Sequence, residues 1–237
     1  MNTLQGKVAY ITGGSKGIGY GIAKALLDSG MNVAITSRSI ETAQQAAKSL
    51  GSGTKVLALR SEVNSLEDEQ KAIDATIAHF GQLDVVIANA GIGHFAPIQD
   101  MTEAQWKETI DTNLTGVFNT VKSGIEALKA SKGYIITIAS LAGTNFFANG
   151  AAYNASKFGL VGFSQAIMMD LRQFGIKVTT IMPGSVATNF GGHTPGNEDT
   201  WKIQPEDIGE MVVDLLKMHP RTLPSKIEVR PSMPGKS

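Results

Sequence analysis

Two kinds of segment alternate along the whole length of this chain, and that alternation limits the folds open to it. Short, continuous apolar runs occupy 8–12, 32–36, 55–59, 84–88, 133–139, 177–182 and 226–229. Longer amphipathic stretches lie between them, for example 19–28, 66–80 and 102–128. A continuous apolar run predicts a strand buried on both faces, and an amphipathic stretch of ten or more residues predicts a helix. Strand–helix alternation of this kind implies a parallel sheet covered by helices on both sides. No linker-like segment divides the 237 residues. The expectation is one doubly wound α/β domain over 1–237, with a seven-stranded parallel sheet. The Gly/Pro-rich segment at 183–205 falls between a strand and a helix, so a lid is expected at about 184–205.

Composition narrows the partners. Lys plus Arg and Asp plus Glu are equal in number, 21 each, so no electrostatic case exists for nucleic acid or an anionic membrane surface. Without cysteine, neither a disulfide framework nor a thiolate metal site is expected, and no other metal site is read from the sequence. The start, MNTLQGK, has no apolar signal core. The longest uncharged stretch, 133–156, is broken by Thr, Ser, Asn and Gly, which would be costly in lipid. A cytoplasmic enzyme is the expectation.

The first strand runs into TGGSKGIG, residues 12–19, directly before a helix. Glycines at 13, 17 and 19 permit backbone conformations and close approaches that a side chain blocks. Free amides at a helix start can then hold a pyrophosphate, which makes Gly13, Ser15, Lys16, Gly17, Ile18 and Gly19 candidate dinucleotide contacts in a Rossmann-type fold. NAD-binding folds usually carry a carboxylate at the end of the second strand, for the ribose 2′-hydroxyl. Ser37 and Arg38 stand there instead, and Lys16 lies within the turn. A guanidinium and an ammonium suit a 2′-phosphate, so NADP(H) is the expected cofactor.

A second cluster comprises Ser140 and Tyr153-Asn154-Ala155-Ser156-Lys157. Tyr153 and Lys157 are four residues apart and project from one face of a helix. A nearby ammonium favours a phenolate, and bringing a tyrosine from about 10 to about 7 takes roughly 4 kcal/mol. Ser140 ends the fifth strand, where it could polarise a substrate carbonyl.

With these motifs in order, the chain resembles the short-chain dehydrogenase/reductase family over almost its whole length, and within it the 3-oxoacyl-acyl-carrier-protein reductases and related single-domain members. Asn89-Ala90-Gly91, Asn113 and the stretch from Pro183-Gly184 through Val186 to Thr188 add to the likeness. The resemblance implies an NADP-dependent enzyme that interconverts a ketone or aldehyde and an alcohol. Tyr153 would be its general acid or base, Ser140 would orient the carbonyl, and Lys157 would hold the nicotinamide ribose and depress the tyrosine pKa. Asn113 would anchor a relay water, Asn89 to Gly91 would line the cofactor, and Pro183, Gly184, Val186 and Thr188 would close over the nicotinamide. It also implies a homo-oligomer, a tetramer or a dimer. Three features depart from the family pattern: Ala88 replaces the first asparagine, Glu62 with Val63 stands where an Asp near the adenine is usual, and the ending IEVRPSMPGKS lacks Asp-Gly-Gly.

Candidate pocket residues are His94, Phe95, Leu141, Phe146, Phe147, Phe190 and Trp201, of which Phe147 and Phe190 are assigned to substrate together with Ser140 and Tyr153. An apolar pocket with few polar anchors suits many small carbonyl or alcohol substrates. The alternative is a non-catalytic NADP-binding sensor or interaction protein, which would need the glycine turn but not Asn113, Ser140, Tyr153 and Lys157. A sugar-nucleotide epimerase on a related fold would need a longer C-terminal substrate region.

Overall fold

A computed structural model describes residues 3–51 and 53–233; the first two residues of MNTLQGK and the last four of IEVRPSMPGKS lie outside them. The elements run β1 Val8–Ile11, α1 Gly17–Asp28, β2 Asn32–Ser37, α2 Ile40–Leu50, β3 Val56–Arg60, α3 Leu66–Phe80 and β4 Val85–Ala88. They continue with α4 Glu103–Ile110, α5 Gly116–Ser131, β5 Tyr134–Ile138, α6 Ala151–Leu171, β6 Lys177–Pro183, α7 Pro205–Lys217 and β7 Lys226–Val229. All seven strands are parallel in the order β3-β2-β1-β4-β5-β6-β7. This is the Rossmann-type sheet that the alternation predicts. The strand order reverses between β1 and β4, and that switch opens a crevice at the carboxyl ends of the strands.

Successive residues of a strand feed opposite faces, so two cores form. Ala9 and Ile11 of β1 pack with Ile22 and Leu26 of α1 and Val212 and Leu215 of α7. Tyr10, between them, packs with Ile73 of α3, Val121 of α5 and Leu160 of α6. Glycine lets α1 and α7 cross closely. A Cβ at Gly209 would stand 2.6 Å from Gly21 O, and one at Gly21 would stand 2.5 Å from the Pro205 carbonyl.

Local chemistry sets the helix ends. Ser39 and Ser65 accept the amides of Thr42 and Asp68 at the starts of α2 and α3, and Gly51 and Gly81 close those helices with φ of 71° and 84°. Thr102 and Gln105 form a reciprocal capping box on α4.

Three expectations need correction. The 102–128 stretch is not one helix: α4 stops at Ile110, a π turn spans Asp111–Thr115, and α5 follows. Burial on both faces fails at the sheet edges, because β3 is only partly buried and β7 alternates between exposed and half-buried residues. The first helix starts at Gly17, earlier than 19. In the 184–205 segment, short 3-10 turns form at Phe190–Gly192 and Asn197–Asp199, and a bridge between Val186 and Ile203 ties together the chain on either side of them. No helix among the described residues is long and apolar enough to cross a membrane.

Candidate active site

A cleft of about 850 Å³ lies above the switch point. Gly13, Ser15, Lys16, Gly17 and Ile18 form its floor. Gly13 and Gly17 have φ of 63° and 56°, a region that side chains disfavour, and a Cβ at Gly13 would stand 3.1 Å from Ala90 Cα. Gly19 does not line the cleft. It is a packing glycine, whose Cβ would fall 2.5 Å from Asn89 Nδ2 and 2.6 Å from Gly13 O. Asn89 braces the turn, its Nδ2 donating to Thr12 O at 2.9 Å and Gly13 O at 3.2 Å. The Thr12 hydroxyl accepts the Asn89 and Ala90 amides at 3.0 and 3.1 Å. No acidic residue sits in the first turn of α1. The turn is a cradle that side chains would fill and that repels no anion, so it fits a dinucleotide pyrophosphate.

At the far end of the cleft, Ser37 and Arg38 leave β2 beside Lys16, and Ser39 and Thr42 complete that wall. Arg38 is 73% exposed, with its guanidinium 3.9 Å from Glu108, which also meets His94 Nε2 at 2.8 Å. No motif in the sequence marked Glu108; only the packing of α4 brings it across the cleft. Glu62 and Val63 line the neighbouring wall with Ser61. This wall is held from beneath by the buried Glu69, whose Oε1 accepts from Ser61 at 2.5 Å and from Tyr10 at 3.1 Å. Burial pushes the Glu69 carboxyl up, and its Oε2 has no partner. Asn119 adds a bond from Nδ2 to Val63 O at 2.9 Å.

The other end holds Ser140, Tyr153 and Lys157, all lining the cleft with Asn89, Ala90 and Gly91. Ser140 Oγ accepts the Ala142 amide at 3.1 Å, which turns the chain after β5. Tyr153 and Lys157 share one face of α6, with Nζ 5.7 Å from the tyrosine ring centre and donating to Ile138 O at 3.1 Å. Lys157 is almost wholly buried, and desolvation pulls its pKa down to about 8. Burial also pushes Tyr153 up, against a smaller opposing effect of the Ser140 hydroxyl. Without the cofactor, loss of hydration therefore outweighs the Ser140 hydrogen bond at this hydroxyl.

Asn113 is brought near this group but does not line the cleft. Its Oδ1 accepts the Ile92 amide at 2.8 Å, and its Nδ2 donates to Ile92 O at 2.8 Å and Ser156 Oγ at 3.0 Å. Both side-chain N–H groups are thus committed to protein.

Pro183, Gly184, Val186, Thr188 and Phe190 line the remaining wall. Phe147 lies outside the cleft lining and packs on Phe95 at 5.9 Å between ring centres. Phe146 is 85% exposed and stacks on Phe158 at 6.4 Å, away from Tyr153's own ring contacts. Trp201 is half-buried with Lys202 over its ring at 5.9 Å, and it too stands outside the lining. His193 and Lys202 reach the cleft tied to Asp199, at 2.6 and 2.5 Å.

Known proteins are similar to this chain in sequence and in fold. The short chain dehydrogenase family model matches residues 7–199. A 3-oxoacyl-[acyl-carrier-protein] reductase of Chlamydia muridarum is 35% identical over 85% of this chain and 82% of its own. An alcohol dehydrogenase from the archaeon Thermococcus sibiricus, solved with 5-hydroxy-NADP, superposes with a TM-score of 0.90 at 30% identity, covering 95% of this chain and 97% of the other. A 3-ketoacyl-(acyl-carrier-protein) reductase of Brucella melitensis, solved with NADH, gives 0.89 at 25% identity over 97% and 98%. The chain belongs to the short-chain dehydrogenase/reductase family of oxidoreductases and is similar to its 3-oxoacyl-acyl-carrier-protein reductases.

Proposed function

We propose that this protein uses NADP(H) to interconvert a small ketone or aldehyde and its alcohol. The observation that carries the reading is the Ser140, Tyr153 and Lys157 group facing the glycine turn across one cleft. The nicotinamide supplies or accepts the hydride when the cofactor is bound. In the reducing direction, the Tyr153 hydroxyl donates its proton to the carbonyl oxygen as that oxygen becomes an alcohol, and Ser140 donates a hydrogen bond to the same oxygen. Burial favours the neutral phenol of Tyr153, the form that can donate. Lys157, whose Nζ stands 3.6 Å from the place of an added Cβ at Gly91, would hold the nicotinamide ribose.

The choice of NADP(H) over NAD(H) rests on Lys16 and Arg38 lining the adenosine end, with no carboxylate at the end of β2. We read the chain as one domain with residues 184–205 as its lid, working in the cytoplasm as a homo-oligomer. A 3-oxoacyl thioester is a candidate substrate by likeness to the relatives above. The test is a panel of ketones, aldehydes and alcohols, including an acyl thioester, followed by NADPH absorbance. Turnover of at least one carbonyl, more efficient with NADPH than NADH, is expected. Tight NADPH binding with no turnover across the panel would favour a cofactor sensor instead.

A further inference from the structure

Two phenylalanines, Phe95 and Phe190, meet the Tyr153 ring and a third, Phe147, backs Phe95; the cofactor reading gives Phe95 and Phe147 nothing to do. Phe95 stands edge-on to Tyr153 with ring centres 5.4 Å apart, and Phe190 lies 5.6 Å from the same ring. Phe95 also meets Phe190 at 6.3 Å, and Phe147 backs it at 5.9 Å. Glycine makes the cluster possible. A Cβ at Gly93 would stand 2.7 Å from Phe95 Cζ and 2.8 Å from Phe190 Cζ, so any side chain there would drive the rings apart. The cluster is not core filling, because Phe95, Phe147 and Phe190 remain 47%, 49% and 39% exposed. Contiguous exposed aromatic surface beside a reactive group marks a binding surface.

The charges nearby are already matched within the protein. His94 is held by Glu108 at 2.8 Å, and His193 and Lys202 by Asp199 at 2.6 and 2.5 Å. Arg230, just after β7, is held by Glu228 at 2.6 Å. Lys157 beside Tyr153 has no acidic partner among the described residues, but the cofactor reading assigns it to the ribose. A phosphate or carboxylate on a substrate would have to break one of these pairs to reach the other nearby cations. A flat ring meets no such cost and finds ring edges and faces of the kind that aromatic groups pair with.

We infer that the substrate is an uncharged carbonyl compound with an aryl group next to the carbonyl carbon, its ring seated against Phe95 and Phe190 and its oxygen at the Tyr153 hydroxyl. This inference rests on the carbonyl chemistry proposed above and specifies which carbonyl compounds that site takes. It disfavours a carrier-bound acyl thioester.

The test compares kcat/KM with NADPH for acetophenone, cyclohexyl methyl ketone and the acetoacetyl thioester of N-acetylcysteamine, in wild type, Phe95→Leu and Phe190→Leu. Binding of each compound to the protein loaded with NADP⁺ is followed separately by saturation-transfer NMR. Acetophenone should exceed both competitors by about tenfold, and each leucine variant should lose most of that margin through KM. Because both rings are partly exposed, the variants should keep the wild-type melting temperature within a few degrees. Preference for the thioester, or equal losses for the aryl and alicyclic ketones, overturns the inference. The two readings fail separately. Acetophenone that binds without being reduced upholds the aryl pocket and contradicts the reaction. Reduction of another carbonyl, with acetophenone neither bound nor reduced, contradicts the pocket and leaves the reaction standing. If no compound binds or reacts, both are overturned.

Discussion

Lys157 puts a cation where water hardly reaches, and burial lowers its pKa from an ordinary lysine value to about 8. The unfolded chain then binds this proton more tightly than the folded one, so stability rises as pH climbs from about 8 toward 10.5. The full shift corresponds to about 3 kcal/mol as an upper bound. Unfolding free energies measured in urea across that range should therefore rise in wild type relative to Lys157→Met, and a flat difference would contradict the buried-cation account. Arg38 is the opposite case, exposed and paired only loosely with Glu108. Such a pair contributes little, so a 2′-phosphate can draw the guanidinium away. Each charge-assisted contact to that phosphate is worth roughly 1.5–3 kcal/mol before solvent screening, so NADPH should be preferred by roughly tenfold to a thousandfold. Arg38→Asp should reverse the preference in kcat/KM, and the wild-type preference should shrink with added salt. Equal efficiency with both cofactors in wild type would remove the phosphate-clamp reading.

The elements that place these residues differ in how openly the sequence shows them. The strands were legible because a buried parallel strand is a continuous apolar run, and the structural ends lie within a residue or two of the expected ones. The glycine turn was legible because φ at Gly13 and Gly17 is positive and the position before a helix is specific. Tyr153 and Lys157 were legible as helix neighbours, whereas the balance between burial and charge that sets their protonation was not. The π turn at Asp111–Thr115 was hidden, since one extra residue in a turn barely disturbs the apolar period. It lies where Gly116 passes Val63, a Cβ there falling 2.7 Å from Val63 Cγ2. Edge exposure of β3 and β7 depends on strand order, and Glu108 reaches the cleft only through packing between elements distant in sequence, whereas Phe95 was a candidate in the sequence and stands against the Tyr153 ring. The crossing of α1 and α7 yields a direct test of such packing. Gly209→Val would drive a branched side chain into Gly21 O and Ala25 Cβ, at 2.6 and 2.9 Å already for its first carbon. A loss of about 1–3 kcal/mol or more is expected from the urea midpoint, and an unchanged midpoint would contradict the close crossing.

Across the whole molecule, apolar side chains that serve neither core nor cleft gather on the outer faces of α5 and α6. Phe118 and Phe158 are more than two-fifths exposed, and Phe118 meets Phe163 at 6.4 Å. Of the apolar residues of α6, Leu171 is buried, and Val161, Phe163, Ile167 and Met168 are partly buried against the core. Phe158 is left facing outward. The proposed homo-oligomer would cover this surface, and light scattering at micromolar concentration should return a dimer or tetramer mass rather than 25.0 kDa. Phe158→Glu should shift that mass toward the monomer. The central claim, that one cleft joins a dinucleotide to a tyrosine proton donor, is tested most directly at Tyr153. Tyr153→Phe removes only the hydroxyl, so the NADPH dissociation constant, read by fluorescence titration, should stay within about threefold of wild type. Its kcat on any active carbonyl should fall by about 10²–10⁴-fold. A kcat near that of wild type, with the cofactor still bound, would contradict the account.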